Sequence, residues 1–156
     1  MADPAQLLAP SRIECGAAQS SRKRVLERLG ELLDVEADEA AASAYECLLS
    51  RERLGSTGIG HGVAIPHGRS TSLTEARAAL LTLSEGVDYD AIDGQPVDVF
   101  YALLVPADAA EAHLETLATL AQMFSDDRFT KALREAPDAT AAERLFMEWS
   151  PYRQSA

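Results

Sequence analysis

At 156 residues, 47% hydrophobic and 25% charged, the chain is sized for one ordinary domain with a real core. Its 14 Lys and Arg against 25 Asp and Glu give a formal net charge of -11, a field that repels phosphate backbones and anionic headgroups and so argues against nucleic acid or a membrane surface as a partner. No apolar run reaches the roughly 20 residues of a bilayer span, Met1-Ala-Asp-Pro-Ala lacks a secretion signal, and Cys15 and Cys47 fit neither a disulfide framework nor a zinc knuckle, so the expectation is a cytoplasmic protein with reduced thiols.

Residues 1–20, with Pro4, Pro10 and Gly16, read as an irregular lead-in docked through Leu7, Leu8 and Ile13. After Ser20 and Ser21 as candidate caps, Val25, Leu26, Leu29, Leu32 and Leu33 recur at helical spacing. A second helix is expected from about Asp38 to Leu54, with Ala41, Ala44, Tyr45 and Leu48 on its apolar stripe, stopped by Gly55. Gly55 to Gly62 holds four glycines in eight residues and reads as a loop, excluding regular helix or a well-packed strand. Val63-Ala-Ile-Pro-His67 then suits a short strand at an edge or strand end.

Ala76 to Leu83 and Val97 to Val105 are apolar runs of central-strand length, separated by a polar, turn-rich stretch from Glu85 to Pro96. Asp108 three residues before Glu111 resembles a capping box, opening a third helix that carries Leu114, Leu117, Leu120, Ala121 and Phe124. Two shorter helices, Asp126 to Glu135 and Asp138 to Trp149, each open on an Asp, and 150–156 reads as a frayed tail. Helices precede, interrupt and follow the strands without βαβ alternation. The expected fold is therefore a single α/β domain of the α+β type over 1–156, its core about 7–149, with a mixed sheet covered by helices.

Of the three histidines, His67 has the setting for chemistry: Pro66 fixes the backbone before it, and Gly68 after it leaves space for a partner to approach. The glycine loop before it offers unobstructed N–H groups at Gly58, Gly60, His61 and Gly62, with the Ser56 and Thr57 hydroxyls, as a possible anion cradle. An imidazole of ordinary pKa, about 6.5, is neutral and nucleophilic at cytoplasmic pH and a good leaving group once phosphorylated. Phosphoryl transfer then needs in-line positioning and cationic donors around the equatorial oxygens. Arg51 and Arg53 are candidate cations, set against an ordinary role as helix-end arginines. The loop is not a P-loop, since no Lys-Ser or Lys-Thr follows, and Val63 stands where a dinucleotide fingerprint needs Gly or Ala. A metal site of His61, His67 and His113 is poorly supported without clustered carboxylates.

The segment Ser50-Arg-Glu-Arg-Leu-Gly-Ser-Thr-Gly-Ile-Gly-His-Gly-Val-Ala-Ile-Pro-His-Gly68 closely resembles the active-site segment of the fructose, mannitol and nitrogen-related enzyme IIA proteins of the phosphotransferase system. Tyr89 to Asp98, Ala102 to Asp108 and His113-Leu look like the nitrogen-related branch, and the resemblance spans roughly residues 7 to 149. It implies that His67 is the phosphorylated histidine, with Arg51 beside it and His113 as a second active-site histidine; the last role comes from resemblance alone. One departure is His61, where the family commonly has Asn. The resemblance further implies a mixed sheet with helices on both faces, no metal or other cofactor, and an HPr-type donor charged by enzyme I from phosphoenolpyruvate. The recipient is then a regulatory target protein or, in the sugar-specific alternative, a IIB component; a third reading is a binding module independent of phosphorylation. The absence of a fused IIB, IIC or HPr module favours the regulatory branch.

Overall fold

In the computed structural model, which describes residues 3–34 and 43–149, the stripe of Val25, Leu26, Leu29, Leu32 and Leu33 forms helix α1 (Arg22–Asp34) with all five side chains buried. Ser21 caps it, its hydroxyl accepting from the Arg24 amide at 3.2 Å. Helix α2 (Ala44–Glu52) follows, with Ala44 and Leu48 buried. The expected earlier turns, including Ala41, lie outside the described residues. The two helices cross closely at Gly30, where an added Cβ would stand 2.9 Å from the Tyr45 amide nitrogen.

Six strands form one sheet: β1 (Ile13–Ala17), β2 (Gly58–Gly60), β3 (Val63–Ala64), β4 (His67–Ser70), β5 (Arg77–Val87) and β6 (Val97–Pro106), in the order β1-β5-β6-β3-β2 with β4 also on β6. The two apolar runs are central, as their composition predicts, and the structure pairs them antiparallel to each other. Alternate residues of β6 serve opposite cores. Val99, Tyr101, Leu103 and Val105 face the cluster built with α3 (Leu114–Phe124), α4 (Asp127–Glu135) and α5 (Ala139–Glu148). Phe100, Ala102 and Leu104 face α1 and α2. The chain thus adopts the expected mixed α/β domain with helices on both faces. Asp126 and Asp138 cap α4 and α5 as expected, accepting from the amides of Arg128 at 3.0 Å and Ala141 at 2.9 Å.

Three local expectations are corrected. The lead-in buries Leu7, Leu8 and Ile13, yet it also contributes β1, parallel to β5 at the sheet edge. Inside the glycine segment, Gly58–Gly60 pairs antiparallel with β3. The hairpin turns at His61 (φ 58°) and Gly62 (φ 79°), the pair of positive angles a two-residue hairpin turn needs, so a glycine-rich stretch closes on backbone bonds alone. The Asp108 capping box does not form. Strand pairing runs through Pro106, the chain turns at once into 3-10 geometry over Ala107–His113 with no side-chain cap, and the α-helix proper starts at Leu114.

Two phenols are sealed in the two cores. Tyr101 packs on Phe124 and Phe146 and donates to the Pro4 carbonyl at 2.7 Å, while Tyr89 packs edge-on to Phe100. Burial pushes both phenols well above the ordinary tyrosine value. A folded pKa above the unfolded one adds stability that is complete below the unfolded value, about 10, and is lost as pH rises toward the folded value. Alkaline titration should therefore ionise Tyr89 and Tyr101 only as the chain unfolds. If Tyr89→Phe or Tyr101→Phe removed a phenolate absorbance step from the native titration, that assignment would be wrong.

Candidate active site

β3 and β4 share one register on β6: Val63 pairs with Val99 and Ala64 with Phe100, then His67 with Leu103 and Gly68 with Leu104. They are one strand interrupted at Ile65-Pro66, where proline has no N–H to give the ladder. The Ile65 carbonyl, on the edge turned away from β6, meets the His67 Nδ1 at 2.9 Å. A carbonyl oxygen only accepts, so Nδ1 carries the hydrogen and Nε2 keeps a lone pair. The ring is half-buried, at the first residue of β4.

The sequence suggested that Gly68 leaves space for a docking partner; the structure fills that space with helix α2. An added Cβ would lie 2.6 Å from the Cys47 carbonyl oxygen, so the glycine admits helix α2 against β4. This crossing brings α2 to the side of His67. A cavity of about 610 Å³ opens there between α2, β4 and the start of α3, and Arg51, His67, Arg69 and His113 all line it. Leu54 (83% exposed) and Leu114 (62%) give it apolar walls that reach solvent. Cys47 also lines it; burial pushes its thiol up, which makes it a wall and not a nucleophile.

Arg51 donates through Nη1 to the Gly55 carbonyl at 2.9 Å. His113 lines the same cavity, and its Nδ1 is buried with no hydrogen-bond partner among the described residues. The arrangement therefore sets a nucleophilic nitrogen, a second imidazole and two arginines around one space.

The structure brings together His67, Arg51 and His113 and leaves the glycine segment elsewhere. None of Ser56, Thr57, Gly58, Gly60, His61 or Gly62 lines the cavity. The Ser56 hydroxyl donates to the Tyr89 carbonyl at 2.8 Å and accepts from the Gly58 amide at 3.1 Å. Thr57 gives its hydroxyl to the Glu52 carboxylate. Gly60 sits against Asp93 in the hairpin, and the Gly62 carbonyl accepts from the amides of Asp98 and Val99. The His61 amide donates to Asp93 at 3.0 Å, and its carbonyl accepts from Arg134 Nη2 at 2.8 Å. Its positive φ explains why Asn also suits the position: Asn and His both tolerate that conformation. The three histidines do not share the cavity, since His61 is not among the residues that line it.

Sequence reading missed Arg69 and Glu52. Arg69 was recoverable, because two residues along a strand return to the same face as His67. Glu52 was not: a charged residue beside Arg51 and Arg53 reads as surface, and only the fold shows its side chain to be 2% exposed.

The sequence profile of the phosphoenolpyruvate-dependent sugar phosphotransferase system EIIA 2 family matches residues 6–148. A nitrogen regulatory protein of Pseudomonas aeruginosa is 42% identical over 144 residues, covering 92% of this chain and 94% of the relative. Among solved structures, the nitrogen regulatory protein IIA-Ntr of Neisseria meningitidis superposes with a TM-score of 0.84 at 39% identity, covering 91% of this chain and 97% of that one. The mannitol IIA of Escherichia coli shares the fold at a TM-score of 0.74 and 17% identity, over 89% of this chain and 98% of that one.

Proposed function

The chain belongs to the EIIA 2 family of the phosphotransferase system, and from that premise we propose that it is a phosphohistidine carrier that accepts a phosphoryl group on His67 Nε2 from an HPr-type donor. The observation that carries the reading is the Nδ1 contact to Ile65 at 2.9 Å on a ring that opens into the Arg51 and His113 cavity. Nε2 attacks phosphorus, the new P–N bond forms as the donor's P–N bond breaks, and the donor imidazole keeps the bond's electron pair. Phosphorylated His67 carries a positive ring, and the Nδ1–H bond to Ile65 strengthens as that charge appears. Arg51, Arg69 and His113 face a phosphoryl group of charge about -1.5 to -2. No cofactor takes part in this step.

The likeness to nitrogen regulatory proteins favours a regulatory role, in which target proteins respond to the phosphorylation state of this chain. Transfer onward to a IIB component is the alternative reading. Among the described residues no helix is long and apolar enough to cross a membrane, and with the strongly acidic composition this favours an aqueous, cytoplasmic setting.

Incubation with phosphoenolpyruvate, enzyme I and an HPr-type protein should add one acid-labile phosphoryl group, read by intact-protein mass. A chain that gains none is not a carrier. Arg51→Ala should slow uptake by about 100-fold, the typical cost of one lost donor to developing charge, with the circular dichroism spectrum unchanged because Arg51 is not part of either core. Unaltered uptake kinetics would take Arg51 out of the site.

A further inference from the structure

Glu52 ends α2 next to Arg51, and its carboxylate is held from every side. Oε1 accepts from the Tyr89 hydroxyl at 2.8 Å and from the Thr57 hydroxyl; Oε2 accepts from Arg22 Nη2 at 2.5 Å and from the Thr57 amide at 3.4 Å. Arg22 also lies over the Tyr89 ring, 5.0 Å from its centroid. Burying a carboxylate in this way gains little stability over an apolar group of the same shape, and a closed polar network does more to select one geometry. What it selects here is the path of residues 52–57. Glu52 clasps Thr57 across that loop, the Ser56 hydroxyl ties the loop to the Tyr89 carbonyl, and the Gly55 carbonyl within it is the acceptor for Arg51.

We infer that Glu52, with Thr57 and Tyr89, is a positioning device for Arg51: the clasped loop holds the Gly55 carbonyl where it aims the guanidinium into the His67 cavity. An exposed arginine bonded to a free loop would sample many orientations, and the clasp removes that freedom before the phosphoryl group arrives. Thr57, on this account, acts through Glu52 and not on phosphate. The consequence for transfer rests on the carrier reading above; the geometric claim does not.

The test uses the full chain with Thr57→Val, Thr57→Ser and Tyr89→Phe, each alone and combined with Arg51→Ala. Thr57→Val and Tyr89→Phe should lower the maximal rate of phosphoryl uptake by roughly tenfold or more, leave the half-saturating donor concentration unchanged, and shift the Arg51 side-chain Nε–H resonance. Thr57→Ser, which keeps the hydroxyl, should restore both. In the Arg51→Ala background the same substitutions should have no further effect on rate. Equal losses in both backgrounds, or an Arg51 resonance that none of the variants moves, would overturn the inference. If the unaltered chain takes up no phosphoryl group, the carrier reading fails by itself, and the Arg51 resonance still decides whether the clasp positions that side chain.

Discussion

His67→Ala should reduce phosphoryl uptake from an HPr-type donor to the uncatalysed background. Removing the nucleophile from enzymes that form covalent intermediates costs on the order of a million-fold, and here the acceptor atom itself is gone. The fold should survive. His67 is half-buried at the start of a strand, outside both hydrophobic clusters, and the backbone pairing with β6 at its position runs through its neighbour, Leu103 donating to the Pro66 carbonyl at 2.9 Å. His113→Ala, in contrast, removes the second imidazole of the cavity and leaves the acceptor, so it should slow uptake without abolishing it. Mass analysis with time separates the two outcomes. A phosphoryl group that still arrives on the His67→Ala chain at the original rate would move the acceptor to another residue and remove the basis of the proposed mechanism.

Arg22→Ala should cost about 3–5 kcal/mol of folding stability, because it strips the cation from a carboxylate that is 2% exposed. For a chain of this length that corresponds to a fall in Tm of roughly 10 °C. The comparison that gives the number meaning is Arg28→Ala. Arg28 pairs with Glu14 at 2.8 Å, but both side chains are about a third exposed, 33% and 36%, and solvent takes over when the pair is broken. That variant should lose less than about 1 kcal/mol. Urea unfolding of both reads the contrast directly. Equal, small losses would mean that Glu52 reaches water more freely than its burial indicates.

Much of the fold was legible because its signals are local. The leucine stripe of α1 follows helical spacing, the two long apolar runs are strands because both their faces are covered, and Asp126 and Asp138 cap the helices they precede. β1 was hidden because Ile13-Glu-Cys-Gly-Ala is neither apolar nor cleanly alternating; it becomes a strand by pairing with β5 across more than sixty residues. The glycine segment misled in a related way. Its composition speaks against a strand, yet three of its residues form one, since a hairpin closed by two positive-φ residues asks only for backbone groups.

The sequence by itself determined the family, the helices and the two long central strands, and the candidacy of His67, because these are written in spacing and in a contiguous motif. Only the tertiary structure decided which residues stand around that imidazole. It drew Arg69 and His113 into the cavity with Arg51, turned the glycine segment away into a hairpin, and buried Glu52 among Arg22, Thr57 and Tyr89. It also showed which ring nitrogen is free, through the contact of the other with the Ile65 carbonyl. The reason is physical. A strand's period says which residues share a face, but the neighbours on that face come from distant segments brought there by burial, and no local pattern encodes which they are.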